Sequence, residues 1–341
     1  MGRRMSPDPA PPARDEAPVL SIRDLRVEFA MRRGVLTAID GVSFDIGRGE
    51  VLGVVGESGA GKSVTGAAII GLVDPPGRVA DGEIRLGGER IDGLSEDEMR
   101  AVRGRRIGMI FQDPLTSLNP LFSVGDQLVE TMRSHLDLTA GEARRRALAL
   151  LVEVGIPAAE ERIGAYPHEF SGGMRQRVVI ALALCAEPEL VIADEPTTAL
   201  DVSVQAQILA LIKRLCRDRG TAVMLVTHDM GVVANTADRV AVMYAGRLAE
   251  IGPVSDLIDQ PLHPYAVGLM GAIPSLDQDA RRLVQIPGTM PRLSAIPGGC
   301  AFHPRCPQAF ERCAARRPPL VAKDGRTVAC HLYDGSAEAA R

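Results

Sequence analysis

Tryptophan is absent from this chain, and aromatic residues make up only 3% of it. Its core must therefore be packed from aliphatic side chains. Long apolar runs are missing too. The longest candidate, Val178 to Ala186, is closed by Glu187 and reaches only about half of the ~18 residues that a membrane-spanning helix needs. No apolar secretory segment opens the chain, so a protein that stays in the cytosol is expected. Neither sign of charge is in large excess: 39 Lys and Arg face 43 Asp and Glu, a net charge of −4. That balance gives no electrostatic reason to expect nucleic acid as a partner. Internal repeats are lacking. What remains is 341 residues with 46% apolar content, enough for one large or two ordinary domains. Residues 1–18, rich in Pro, Ala and charge, read as a disordered leader.

One stretch organises the rest. Gly56-Glu57-Ser58-Gly59-Ala60-Gly61-Lys62-Ser63 fits the phosphate-loop pattern G-x-x-x-x-G-K-[ST] at every fixed position. The apolar run Val51 to Val55 before it reads as a buried strand, and Ser63 to Val73 reads as the following helix. Glycines let backbone N–H groups face phosphate oxygens, and the helix N-terminus adds a favourable dipole. Lys62 would reach the β- and γ-phosphates, and the Ser63 hydroxyl would ligate Mg²⁺.

Before the loop, Leu20 to Phe29 and Ala38 to Ile46 alternate as strands. They suggest a small antiparallel sheet beside the nucleotide core. Phe29 could stack on the base or simply belong to that core. After the loop, Ile107 to Phe111 is a buried strand closed by Gln112. Two prolines, Pro114 and Pro120, then break regular structure, as a moving switch or an ordinary connection would. The stretch 114–186 reads as mostly helical. Thr139 and Glu142 fit a capping box there, and Arg144, Arg145 and Arg146 read as a solvated face.

Ser171 is a natural N-cap, and Gly172 and Gly173 bare the first-turn N–H groups. That makes a second anion site, or merely a helix cap if it stood alone. Leu190 to Ala193 runs into Asp194 and Glu195. Open α/β sheets place ligand groups at such strand ends. Asp194 suits Mg²⁺, and Glu195 can polarise an attacking water. Thr221 to Val226 is another buried strand, and His228 follows it, placed to reach the γ-phosphate.

Together these stretches resemble the ATP-binding subunit of an ABC transporter from about Leu20 to Ile251. The match takes in the phosphate loop, the Q-loop at Gln112, the signature Ser171-Gly172-Gly173, the acids Asp194 and Glu195, the D-loop Ala199-Leu200-Asp201 and the switch histidine His228. The signature carries Phe170 where Leu is commonest and Met174 where Gln is. Within that family the chain is similar to the oligopeptide/dipeptide/nickel importers. Phe111 to Pro120 carries this, as do His263-Pro264-Tyr265, Ile286-Pro287-Gly288 and Gly299 to Pro307. The resemblance implies an α/β fold: a P-loop ABC ATPase core over 19–255 with an antiparallel β subdomain and the helical subdomain 114–186. A small irregular Cys-containing region, 256–341, would follow. It implies ATP and Mg²⁺ as ligands, with Ser63, Gln112 and Asp194 toward the metal. Glu195 and His228 would be catalytic. Ser171, Gly172, Gly173 and Gln176 would face the ATP of a second, sister ATPase chain. Two permease subunits and an extracytoplasmic solute-binding protein would complete the complex on the cytoplasmic face of the inner membrane. A soluble ABC protein of translation or repair is the weaker alternative, since those usually carry two cassettes or long insertions.

Of six cysteines, Cys185 and Cys216 lie in apolar helical surroundings and read as inert. Cys300, Cys306, Cys313 and Cys330 cluster in the tail. The cytosol disfavours disulfides, so a metal staple is indicated. C-x₂₋₄-C pairs typical of zinc sites are absent. A [4Fe–4S] cluster therefore ranks first, in line with what the resemblance implies. Zinc ranks second and free thiols third.

Overall fold

The computed structural model describes residues 17–32, 34–198, 200–271 and 286–335. Most of the expected leader (residues 1–16) and Ala199 of the D-loop lie outside the described residues.

The strands in chain order are β1 (Leu20–Met31), β2 (Gly34–Ile46), β3 (Val51–Val55), β4 (Gly77–Leu86), β5 (Glu89–Arg90) and β6 (Ile107–Ile110). Then come β7 (Leu190–Asp194), β8 (Ala222–Thr227), β9 (Arg239–Tyr244), β10 (Arg247–Pro253), β11 (Val321–Lys323) and β12 (Arg326–Val328). They form two sheets. The first is antiparallel, in the order β2-β1-β4-β5. Its inner face is the alternating set Leu20, Ile22, Leu25, Val27, Val42, Phe44 and Ile46, all buried. The second has eight strands in the order β11-β12-β10-β9-β3-β8-β7-β6. Its β6, β7, β8, β3 and β9 are parallel.

All five residues of β3 are buried. A strand covered on both faces reads as a continuous apolar run, which is why Val51 to Val55 shows no alternation. One core lies on each side of this sheet. Leu52 and Val54 point into the cluster shared with the antiparallel sheet; Val51 and Val55 point into the cluster shared with the helices. With aromatics so scarce, Leu, Ile and Val supply most of this burial, each stabilising by roughly 1.5–3 kcal/mol when fully enclosed.

Between β6 and β7 the chain is helical. Thr139 and Glu142 form the reciprocal capping box at the start of helix Ala140–Glu153. Ala143, Ala147, Leu150 and Leu151 make its buried stripe, while Arg144, Arg145 and Arg146 stay exposed.

The tail is more regular than its composition suggests. Hairpin β11–β12 adds to the edge of the core sheet, with Glu250 opposite Val328 and Ile251 opposite Thr327. Without it, β10 would be an open edge. Below the hairpin, Glu250 is wholly buried and accepts the backbone N–H groups of Leu262 and His263 at 2.9 and 2.7 Å. Arg326 pairs with it at 3.4 Å. Two strands of three residues each are too short for alternation to announce them.

Candidate nucleotide-binding site

The loop 56–63 joins the end of β3 to helix Lys62–Ile69. Gly56 has φ +155°, and a Cβ there would press into the Met243 carbonyl of β9. Only glycine lets the loop leave the sheet so close to its neighbour strand. Lys62 folds back under the loop. Its Nζ donates to the carbonyls of Gly56 at 2.8 Å and Glu57 at 3.2 Å. Burial lowers the Lys62 pKa, against the raising pull of Glu195 and Asp194.

The parallel strands bring the remaining groups to the same edge. Ser63, one residue into the helix, donates from Oγ to Asp194 Oδ1 at 3.0 Å. Glu195 follows Asp194 with φ +46°, a sparsely populated conformation for a side-chain-bearing residue. That turn aims its carboxylate away from Asp194. Oε2 accepts from Gln112 Nε2 at 3.2 Å and from Thr198 Oγ1 at 3.0 Å. Oε1 lies 3.1 Å from Nδ1 of His228, beyond the end of β8. So Lys62, Ser63, Gln112, Asp194, Glu195 and His228 converge, although up to 166 residues separate them in sequence. (Lys62 and His228 are the extremes, 228 less 62.)

The two acids differ electrostatically. Burial raises the Asp194 pKa, helped by the charge of Glu195 and opposed by Ser63 and Lys62. Burial would raise Glu195 too. Hydrogen bonds from His228 and Thr198, with the charges of His228 and Lys62, outweigh it and lower the net value. Glu195 is thus ionised and held at neutral pH. The set can bind phosphate, hold a divalent cation at Ser63 and Asp194, and orient a water at Glu195.

Ser171 caps helix Gly172–Leu184 by accepting the Met174 N–H at 3.4 Å. Ser171 and Gly172 are exposed, as a surface anion site requires. Gln176 is less accessible than its neighbours in the motif. It is 1% exposed, on the same buried stripe as Val179, Ile180 and Ala183. It lies one turn beyond Gly172, on the same face of the helix, and its side-chain Nε2 is buried without a hydrogen-bond partner among the described residues. Phe29 is half-buried at the edge of the antiparallel sheet's core. It stands opposite Gly77 of β4, and a Cβ on Gly77 would come within 2.6 Å of its ring.

Three contacts went unread in the sequence. Thr198 was hidden in a polar turn, though its spacing of three from Glu195 is a local signal. The others come from the tail. Tyr265 OH accepts the Glu57 N–H at 2.9 Å, and Arg305 pairs with the Glu57 carboxylate at 3.0 and 3.2 Å. Sequence separations of 208 and 248 left no signal for either.

Cys300, Cys306, Cys313 and Cys330 line one small cavity with His303 and His331. Burial raises the thiols of Cys300 and Cys306 and pushes Cys330 up to about 12, with the neighbouring cysteines adding to each rise. Among the described residues, no three His, Cys, Asp or Glu side chains are grouped so that they could hold a metal ion. Cys185 and Cys216 are buried, and burial raises both to about 12.

Comparison with known proteins agrees with this geometry. Residues 39–198 match the ABC transporter family, and residues 249–313 match the oligopeptide/dipeptide transporter C-terminal region. The dipeptide transport ATP-binding protein DppD of Bacillus subtilis is 51% identical over 322 residues, 94% of this chain and 96% of that protein. The chain belongs to the oligopeptide/dipeptide family of ABC transporter ATPases. The oligopeptide transport ATP-binding protein OppD of Salmonella typhimurium is 49% identical, covering 92% of this ABC ATPase and 93% of its own length. Among solved structures, the dimeric post-hydrolysis state of the cassette MJ0796 bound to ADP and Pi gives a TM-score of 0.62 at 28% identity. That alignment covers 69% of this ATPase and 98% of MJ0796. CbiO1 from Clostridium perfringens gives 0.62 at 28% identity, over 72% of this ATPase and 92% of its own chain.

Proposed function

We propose that this ABC ATPase powers the import of di- and oligopeptides, as a peripheral subunit on the cytoplasmic face of the inner membrane. The observation that carries the reading is the tail. It matches the oligopeptide/dipeptide C-terminal region, and similarity to dipeptide and oligopeptide transport proteins runs across more than nine-tenths of the chain. Nickel or another small solute moved by the same machinery is the second reading, because an ATPase subunit does not touch the cargo.

A sister ATPase chain pairs with it head to tail, so that each ATP lies between one chain's phosphate loop and the other's Ser171-Gly172-Gly173. Two features support this: the two anion sites stand on separate elements, and the solved relative MJ0796 is dimeric. Two permease subunits and an extracytoplasmic solute-binding protein complete the complex. The permeases dock beside Gln112, where Phe111, Leu121 and Phe122 are 46%, 79% and 48% exposed. Among the described residues no helix is long and apolar enough to cross a membrane, so the translocation path belongs to the permeases.

Lys62 and the loop N–H groups hold the β- and γ-phosphates. Glu195 orients the attacking water in line, and His228 steadies the γ-phosphate. Ser63 and Asp194 fit a magnesium site, a hydroxyl beside a buried carboxylate, with Gln112 completing it from the switch loop. Mg²⁺, when bound, neutralises charge on the phosphates. Catalysis is then positioning plus charge stabilisation. The four tail cysteines hold a [4Fe–4S] cluster of structural or redox-sensing role. What supports the reading is that all four line one cavity; zinc is the second reading.

The test is uptake of labelled di- and oligopeptides, with nickel in parallel, in cells with and without the chain. Peptide uptake should fall and a Lys62→Ala copy should fail to restore it. A fall in nickel uptake alone would transfer the assignment to the metal.

A further inference from the structure

The Gly56–Glu57 peptide is gripped at both ends. Lys62 Nζ donates to its carbonyl, Gly56 O, at 2.8 Å, and its N–H, on Glu57, donates to Tyr265 OH at 2.9 Å. A trans amide is rigid and planar, with C=O and N–H pointing opposite ways. Whatever fixes the N–H therefore fixes the carbonyl on which Lys62 rests.

Tyr265 is itself held without slack. It is 0% exposed. Its ring meets Tyr244 at 4.7 Å and Phe302 at 5.4 Å between centroids. These are three of the chain's few aromatics, gathered under one loop. Its backbone N–H donates to Nδ1 of His263 at 3.0 Å. Burial lowers His263 to about 4, so the ring stays neutral and keeps that nitrogen as an acceptor. Pro264 opens helix Pro264–Gly271, where a missing N–H is harmless. Within His263-Pro264-Tyr265, then, the first residue caps, the second starts the helix and the third reaches the loop.

Arg305 supplies the second grip. Its guanidinium bonds both oxygens of Glu57. It lies over the rings of Tyr244 and Phe302 at 5.8 and 5.9 Å, and donates from Nε to the Pro287 carbonyl at 2.7 Å. Its side chain is 8% exposed. A charged pair with its guanidinium so enclosed, Nη1 shared between both carboxylate oxygens, holds geometry better than a surface ion pair.

We propose that Tyr265 and Arg305 are positioning residues for ATP: through Glu57 they set the phosphate loop and the seat of Lys62, making the C-terminal region part of the nucleotide site. This rests on the reading that loop 56–63 binds ATP. The test measures ATP affinity and steady-state hydrolysis on the purified full chain. Tyr265→Phe keeps the ring and removes only the hydroxyl. It should weaken ATP binding by about fivefold, the worth of one hydrogen bond, and raise KM with kcat within about twofold. Lys323→Ala is the control, since that exposed side chain meets the adjacent Asp324 at 3.5 Å, on the tail's β11. It should change neither value. Arg305→Gln and Glu57→Gln should each weaken ATP binding, and the double variant should be no weaker than either. Wild-type ATP affinity in Tyr265→Phe, while Lys62→Ala has lost binding, overturns the proposal. So does a kcat loss matching the KM change, or strictly additive Arg305 and Glu57 effects. Normal binding in Lys62→Ala would instead overturn the reading beneath it.

Discussion

His228 Nδ1 and Glu195 Oε1 lie 3.1 Å apart, each just past the end of one of two neighbouring parallel strands. Gln112 and Thr198 hold the other carboxylate oxygen, and the residue sits at φ +46°. A strained backbone with three side-chain partners describes a group built for direction. Its lowered pKa makes it a weak proton acceptor, so orienting water outweighs abstracting a proton.

Glu195→Gln keeps the size and most of those hydrogen bonds but removes the charge. ATP affinity should stay within about twofold, and kcat should fall by about 100-fold or more, the scale on which a misplaced reactant costs rate. Single-turnover hydrolysis alongside equilibrium ATP binding separates the two. Turnover within about tenfold of wild type would remove Glu195 from the catalytic role.

Asp194 calls for the opposite trade. Burial is the largest cause of its raised pKa, so its ionised form is penalised in the folded state. The sign follows from linkage. Wild-type stability is depressed wherever Asp194 is charged, fully so above its folded pKa, and recovers as acid protonates it. Asp194→Asn removes that penalty, and Ser63 can still donate to the amide oxygen. The nucleotide-free variant should melt about 2 °C or more above wild type at neutral pH. The gain should shrink as pH falls through the raised pKa of Asp194 and vanish below the ordinary carboxylate range. Mg²⁺-dependent hydrolysis should be lost. Calorimetric melting against pH checks this; a variant that melts lower at neutral pH would contradict the placement of a penalised charge there.

What could be read from the chain beforehand follows sequence distance and pattern length. Val51 to Val55, the loop and its helix are one contiguous unit, so strand, turn and helix signals reinforce one another. Asp194, Glu195 and His228 were legible because each ends an uninterrupted apolar strand, and such ends gather at one edge of a parallel sheet. The burial of Gln176 was not legible, because a motif position gives spacing along the helix and not what packs over it. Tyr265 and Arg305 were marked as a family trait, yet their contact with Glu57 exists only after the tail folds back across the sheet. The β11–β12 hairpin stayed hidden because three-residue strands show no period.

The tail cysteines carry the last prediction. Cys300 and Cys306 flank the His303–Arg305 turn, Cys313 lies in helix Glu311–Ala315, and Cys330 follows β12. Three separate segments thus meet at one cavity in a region with few apolar residues of its own. Three of these thiols, Cys300, Cys306 and Cys330, have pKa values raised by burial and by the neighbouring cysteines, and a bound cationic centre would reverse that by taking them as thiolates. Protein purified without oxygen should contain about four iron and about four acid-labile sulfides per chain. Cys313→Ser should lose both and lower the melting temperature, because a group that binds only the folded tail stabilises it. Cys185→Ser should keep the iron, its thiol being buried in the helical core and raised to about 12. Iron without sulfide would sink the cluster, and one zinc per chain would replace it. Metal-free protein that melts no lower than the wild type as purified would leave the four thiols with no stabilising role.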